Sequence, residues 1–200
     1  MSSLDEKLKQ VDERLEKKLK QVDELKVAQD ELIKVQNEQN ALVQKIMDTK
    51  KKLFADKNKE LKDSLESILT QKEFVINKKD NGFFADYKGI YSIELVDDKE
   101  KSITITEDQK ITKTVIYKFA IKGVFYNFDK MYSYQGHSEL DKTKEMIRQE
   151  KEYTSRYEEM YEKVKSERII IEAKVKTKYV RDFVDRTYND IDSFIESLFK

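Results

Sequence analysis

Residues 7–13 read Lys-Leu-Lys-Gln-Val-Asp-Glu, and residues 18–24 repeat the same seven letters. Apolar side chains recur through this eleven-residue repeat at spacings of three and four, the pattern of one face of an α-helix. Eleven residues complete about three helical turns, so this apolar stripe runs nearly straight along the helix. Its six residues are Leu4, Leu8, Val11, Leu15, Leu19 and Val22.

The helical pattern continues well beyond the repeat. Five further apolar residues fit a heptad seam: Leu25, Leu32, Val43, Ile46 and Leu53. The chain has no proline and four glycines, the two residues that most readily break helices. We therefore predict one long helix to residue 79. The polar segment 36–40 has two interpretations: a break that creates a helical hairpin, or polar seam positions that fix the register of pairing.

A change of period marks the middle of the chain. Asn81 and Gly82 form a strong turn signal, and β-branched and aromatic residues then alternate with polar ones. The clearest alternation runs over residues 112–121, with Val115, Tyr117 and Phe119 on one side. Because the connecting turns are short, neighbouring strands must be antiparallel. We predict a meander of three or four strands within residues 80–136.

A second helical pattern begins at Ser138, where Asp141 follows three residues later as in a capping box. Apolar residues recur after it at spacings of three, four and seven to the end of the chain. The sequence thus predicts an α+β fold in which long coiled-coil helices flank a small antiparallel β-sheet. The three predicted segments are residues 1–79, 80–136 and 137–200.

The two long helices have two ways to cover their apolar stripes. In one, they pair with each other as an antiparallel coiled coil, a layout that resembles prefoldin subunits, although the sequence carries no prefoldin motif. That resemblance implies a holdase chaperone as an alternative function. In the other, the N-terminal helix pairs in parallel with a second copy of the chain. The thin seam of the first forty residues favours this homo-oligomer.

The residues that commonly carry chemistry are scarce. The chain has no cysteine and one histidine, His137, whereas metal sites and nucleophile–base pairs draw on several such groups. His137 follows Gly136 at the predicted strand-to-helix junction, which is typical of a turn or cap residue. The carboxylates alternate with lysines, as on a solvated helix face. We therefore predict no catalytic, cofactor or metal site and expect a protein that is not an enzyme.

Two groups of residues are candidates for contacts. Locally dense cations could bind phosphates and suggest a nucleic-acid-associated protein as an alternative function. These cations are Lys50, Lys51, Lys52, Lys174, Lys176, Lys178 and Arg181. The last turn carries Phe194, Ile195, Leu198 and Phe199, which either pack inside the protein or form a contact surface for a partner.

The overall composition argues neither for nor against a nucleic-acid or membrane partner. The net charge is zero and 40% of the residues are charged, which long two-faced helices can accommodate. No apolar stretch approaches the roughly 18 residues of a membrane span, and the N-terminus does not resemble a signal peptide. We predict a cytoplasmic, non-enzymatic coiled-coil interaction or assembly protein, a scaffold or adaptor. Its β block would present a binding surface to a protein partner.

Overall fold

The structure, a computed structural model, describes residues 2–124, 126, 128–133 and 138–200. Within these residues the fold is α+β, with three helices and one antiparallel sheet of seven strands. In chain order the elements are α1 (Ser2–Gln71), β1 (Val75–Lys79), β2 (Gly82–Tyr87), β3 (Tyr91–Asp97), β4 (Lys101–Glu107), β5 (Lys110–Ile121), α2 (Glu139–Ser166), β6 (Ile169–Thr177), β7 (Val184–Tyr188) and α3 (Ile191–Leu198).

The long first helix is confirmed, but it ends earlier than predicted. It continues through residues 36–40, so of the two interpretations of this segment the break is wrong. It stops at Gln71 because the chain turns through Glu73, whose φ is +64°. The amide of Phe74 donates to the carbonyl of Leu69 (3.0 Å) and that of Glu73 to Thr70 (3.0 Å), the Schellman arrangement that closes a helix.

The predicted helix over residues 137–200 is wrong beyond Ser166. The chain there forms β6, β7 and the short helix α3, so long helices do not flank the sheet. Residues 169–177 alternate between inward and outward side chains, and all nine pair with β5 in an antiparallel register. The backbone hydrogen bonds of β6 are satisfied by β5, which is far away in the sequence. The local spacing of apolar residues, from which the helix was predicted, contains no information about this pairing.

The strands follow one another across the sheet in chain order, from β1 to β7. Each neighbouring pair is antiparallel, so the predicted meander is confirmed in direction, although it has seven strands instead of three or four. β1 and β2 are joined by the two residues 80–81, and Asp108 and Gln109 join β4 to β5. Both of the latter residues have positive φ angles, as a tight hairpin turn requires.

One face of the sheet carries the largest hydrophobic core. Alternate residues of β2 to β6, among them Leu95, Tyr117 and Ile171, are buried on this face. The last turns of α1 cover it with Leu61, Leu65 and Leu69. Since these three leucines are four residues apart, they lie on one side of the helix. α3 also packs into this core.

The chain divides into two compact units, and α1 contributes to both. The helical unit comprises residues 1–48 and 125–165, and the sheet unit comprises residues 49–124 and 166–200.

Within the helical unit, α1 and α2 run in the same direction. Glu31 forms an ion pair with Lys151 (2.6 Å), and Gln39 donates a hydrogen bond to Thr154 (3.0 Å). The ammonium group of Lys45 on α1 lies over the ring of Tyr161 on α2. The residue numbers rise together on both helices, so the antiparallel pairing considered for the two arms is wrong here. Residues 128–133, between the sheet and α2 in the chain, run antiparallel to α2, since Phe128 contacts Tyr157 and Ser133 contacts Gln149.

Candidate interaction surfaces

The N-terminal stripe of α1 is exposed along its whole length. Leu4, Leu8, Val11, Leu15, Leu19 and Val22 each leave between 48% and 65% of their surface accessible. The stripe covers about 27 Å of helix at 1.5 Å per residue. Exposed apolar residues scattered singly are ordinary, whereas a continuous row of this kind is a candidate contact surface.

A different face of α1 packs inside the helical unit. Ala28, Val35, Gln39 and Ile46 are buried, and Leu25 and Leu32 are half-buried. These residues follow spacings of three and four from Leu25 onward, as the predicted heptad seam does. Relative to this seam, the exposed stripe lies about 120° around the helix at about 100° per residue. Every residue from 4 to 24 is exposed, on all sides of the helix, so no other described element covers the stripe.

A buried polar cluster fixes the position of α1 against α2. The amide nitrogen of Gln39 donates to the backbone carbonyl of Glu150 and to Thr154 Oγ1 (3.0 Å), and Gln39 Oε1 accepts from Lys130 Nζ (2.6 Å). The polar segment 36–40 therefore supplies a register contact, which was the second of its two interpretations. Shifting the helices would leave these buried groups without their hydrogen bonds, at a cost of about 1–3 kcal/mol each.

Glu150 lies at the centre of this cluster and is fully buried. Its carboxylate accepts from Lys130 Nζ (2.8 Å), the Tyr132 hydroxyl (2.6 Å) and Gln36 Nε2 (3.2 Å). Burial by itself raises the pKa of Glu150, but these three hydrogen bonds outweigh burial and hold the pKa below its ordinary value. A carboxylate that is enclosed and fully hydrogen-bonded in this way has a structural role. Sequence reasoning missed Glu150 and Lys130 because only the tertiary fold brings them together.

The structure places three of the four C-terminal candidates in the core of the sheet unit. Phe194, Ile195 and Leu198 are buried there, and Phe199 is exposed. Lys113 Nζ donates to the backbone carbonyls of Ser197 (2.8 Å) and Leu198 (3.1 Å), which satisfies the last carbonyls of α3. Phe194, Ile195 and Leu198 therefore pack inside the protein, which was one of the two interpretations of these residues.

The predicted phosphate contacts lie on different elements. Lys50, Lys51 and Lys52 lie in α1, whereas Lys174 and Lys176 lie on β6 and are exposed. Lys178 and Arg181 follow in the β6–β7 loop, where Lys178 lies 3.6 Å from Glu107. The second cluster is thus on a strand and a loop, not on a helix as predicted.

Two of these lysines line one cavity of about 780 Å³ in the sheet unit, namely Lys50 and Lys174. Its other cations are Lys99, Lys101, Lys118 and Arg186, and its acids are Glu100, Glu172 and Asp185. Burial, and next the charge of Lys118, lower the pKa of Lys50. Cations outnumber acids two to one at this cavity, so it favours an anion over a cation.

No group of three or more His, Cys, Asp or Glu side chains that could hold a metal ion occurs among the residues that the structure describes. His137 and Gly136, assigned to a turn or cap, lie outside the described residues. Across the described helices, none combines the length and the apolar character needed to cross a bilayer.

No family model, curated protein or solved structure matches this chain. The exposed stripe of α1 and the cationic cavity of the sheet unit are its two candidate interaction surfaces.

Proposed function

We propose that this chain is a non-enzymatic interaction and assembly protein, a scaffold or adaptor that self-associates through the N-terminal stripe of α1. The observation that carries this proposal is the exposure of all six stripe residues. An isolated helix gains little stability from propensity alone, and most helices depend on a partner for their apolar face. A protein partner that supplies a second apolar stripe fits this surface.

The amount of exposed apolar surface supports association of useful strength. Complete burial of the six exposed side chains between two such helices would remove at most about 1,200 Å² from water, the lower end for specific interfaces. The flanking residues are charged on both sides, as at the rim of a coiled-coil seam.

In this proposal the sheet unit presents the surface that recognises another protein. Its core face is covered by α1 and α3. The opposite face carries polar residues that are only half-buried, including Glu94, Thr104 and Thr114, which are paired across β3, β4 and β5. Such a mixed, accessible face suits recognition better than it suits self-association.

The test is molar mass by light scattering on a sizing column. We expect the purified chain to have at least twice its monomer mass of 23.9 kDa. The double variant Leu15→Glu with Val22→Glu should return it to monomer mass, because two charges would be buried in the contact. The matched control is Val27→Glu, since Val27 is equally exposed but lies about 140° away from Val22. A wild-type monomer at all concentrations would contradict the proposal.

The cationic cavity of the sheet unit favours a second candidate, binding of nucleic acid through its phosphates. Because phosphate contacts release counterions, binding should weaken steeply with salt. The double variant Lys50→Ala with Lys174→Ala should weaken binding of a labelled single-stranded oligonucleotide and reduce the salt slope. The control is Lys9→Ala with Lys20→Ala in the helical unit. Absence of wild-type binding at low salt would remove this candidate.

The holdase alternative rested on the layout of antiparallel arms. Because α1 and α2 run parallel in the helical unit, that basis is gone, and no other observation favours a chaperone role.

A further inference from the structure

The charges that flank the N-terminal stripe are separated by sign. At about 100° per residue, one flank of the stripe carries only acids and the other only bases among its charged residues. The acidic flank is Asp5, Asp12, Glu16 and Asp23, and the basic flank is Lys7, Arg14 and Lys18. All seven side chains are exposed. On the back of the helix, by contrast, acids and bases mix, as Glu13, Lys17 and Lys20 show.

The separation follows the eleven-residue repeat. Lys7 and Lys18 occupy the same repeat position on one flank, and Asp12 and Asp23 occupy the same position on the other. The apolar members Val11 and Val22 also recur at this interval. The charged residues on each flank therefore keep the same position relative to the apolar stripe along its whole length. In a partner helix with the same eleven-residue repeat, the charged residues would lie at matching positions along the contact.

The direction of a partner helix decides which flanks meet. In a parallel pair related by a twofold axis along the helices, the acidic flank of each copy faces the basic flank of the other, on both sides of the seam. In an antiparallel pair, acidic faces acidic and basic faces basic, which is unfavourable. A partner with uniform flank charge could satisfy only one side.

From this geometry we propose that the occupant of the stripe is a second copy of this chain, aligned in parallel and in register. The proposal rests on the proposed function, which makes the stripe a self-association surface, and it adds the direction and register of the pair. In register, Lys7 of one copy lies beside Asp12 of the other, and Lys18 beside Asp23. Because exposed ion pairs contribute only about 0.2–1 kcal/mol each, these charges select the direction, while the apolar stripe supplies the affinity.

The absence of cysteine from the chain allows a direct test by disulfide cross-linking in the full-length protein. A disulfide needs Cα atoms within about 7 Å. In the parallel pair, Leu8→Cys should form a covalent dimer with itself, and so should Leu19→Cys. In an antiparallel pair centred on the stripe, residue 8 lies opposite residue 18 of the other copy, next to residue 19. Only a mixture of the two variants would then cross-link efficiently.

Molar mass and cross-linking together distinguish failure of the proposed function from failure of this inference alone. A monomer by light scattering would overturn the proposed function and this inference together. A dimer that cross-links only in the mixture of Leu8→Cys and Leu19→Cys would overturn the inference and leave the proposed function standing. A dimer with self-cross-linking at both positions is the expected result. An oligomer larger than a dimer would also contradict the proposed pair.

A charge reversal provides a second measurement. Asp12→Lys with Asp23→Lys makes both flanks basic, and we expect the dimer to dissociate at least about tenfold more readily at low salt. The matched control is Glu13→Lys with Glu24→Lys, which makes the same charge change one residue on, at the back of the helix. Equal weakening by both double variants would show that net charge and not flank pairing controls association, and would contradict the inference.

Discussion

The side-chain amide of Asn58 donates a hydrogen bond of 2.7 Å to the carboxylate of Asp97. This contact joins α1 to the end of β3 inside the sheet unit. The ammonium groups of Lys62 and Lys101 also pair with Asp97. Burial by itself raises the pKa of Asp97, but the hydrogen bonds from Lys101, Lys62 and Asn58 outweigh it, so the pKa lies below its ordinary value.

Replacing Asp97 should therefore destabilise the protein in a pH-dependent way. Hydrogen bonds to a charged group contribute about 1.5–3 kcal/mol, and we expect Asp97→Asn to lower the free energy of unfolding by this amount at neutral pH. Because the pKa of Asp97 is depressed in the folded state, its contribution is present above its unfolded pKa of about 3.9 and is lost as the pH falls through the folded value. Urea unfolding between pH 7 and pH 3 would measure this.

The adjacent exposed residue supplies the control for Asp97. Asp98→Asn removes the same charge from the next residue and should change the free energy of unfolding by less than about 0.5 kcal/mol. If the two variants unfolded alike at neutral pH, the contacts of Asp97 would not stabilise the fold as argued.

Gly82 is expected to tolerate no side chain. Its φ is +142°, and a Cβ atom there would lie 1.9 Å from the carbonyl oxygen of Leu95 on the neighbouring strand. Gly82→Ala must therefore shift the backbone at the start of β2, and we expect a loss of more than about 3 kcal/mol in the free energy of unfolding. Urea denaturation followed by circular dichroism would measure it.

Gly89 is the matched control for Gly82. It too has a positive φ, +70°, but a Cβ atom there has nothing within 4 Å. Gly89→Ala should thus cost only about 1–2 kcal/mol of backbone strain. Similar losses for both variants would mean that close approach to Leu95 does not matter.

The sequence correctly predicted the elements whose apolar spacing fits only one type of secondary structure. The stripe of Leu4 to Val22 and the absence of proline specify the start of α1, and the alternation through Val115, Tyr117 and Phe119 specifies β5. β6 was missed because Val175 and the apolar residues after it also fit the spacing of a helix. This segment is a strand because it pairs with β5. The stripe, as a candidate surface, was visible in the sequence. The cluster around Glu150 was not, because its partners come from segments distant in the chain.

The end of α1 was missed because a residue other than glycine closes the helix. Glu73 adopts a φ of +64°, which costs an L-residue about 1–2 kcal/mol and costs glycine little. Glu73→Gly should therefore raise the free energy of unfolding by about 0.5–1 kcal/mol, a net value reduced by the greater freedom of glycine in the unfolded chain. Thermal and urea unfolding would measure the change.

The residue before Glu73 shows whether that gain is specific. Lys72 does not have a positive φ, so Lys72→Gly should lower stability, as glycine does elsewhere near a helix. A destabilised Glu73→Gly variant would contradict the assignment of Glu73 as the residue that ends α1.

Lys130→Met tests the buried polar cluster of the helical unit. It leaves the carboxylate of Glu150 buried without its counter-charge, and breaking a buried ion pair in this way costs about 3–5 kcal/mol. Without Lys130, fewer hydrogen bonds lower the pKa of Glu150 while burial still raises it, so the variant loses less stability than wild type as acid protonates this group. We therefore expect the gap in the free energy of unfolding to narrow as the pH falls from 7 through the unfolded pKa of about 4.3. The control is Lys151→Met, since the pair of Lys151 with Glu31 is exposed and is worth at most about 1 kcal/mol. A gap independent of pH would show that Lys130 acts by packing alone.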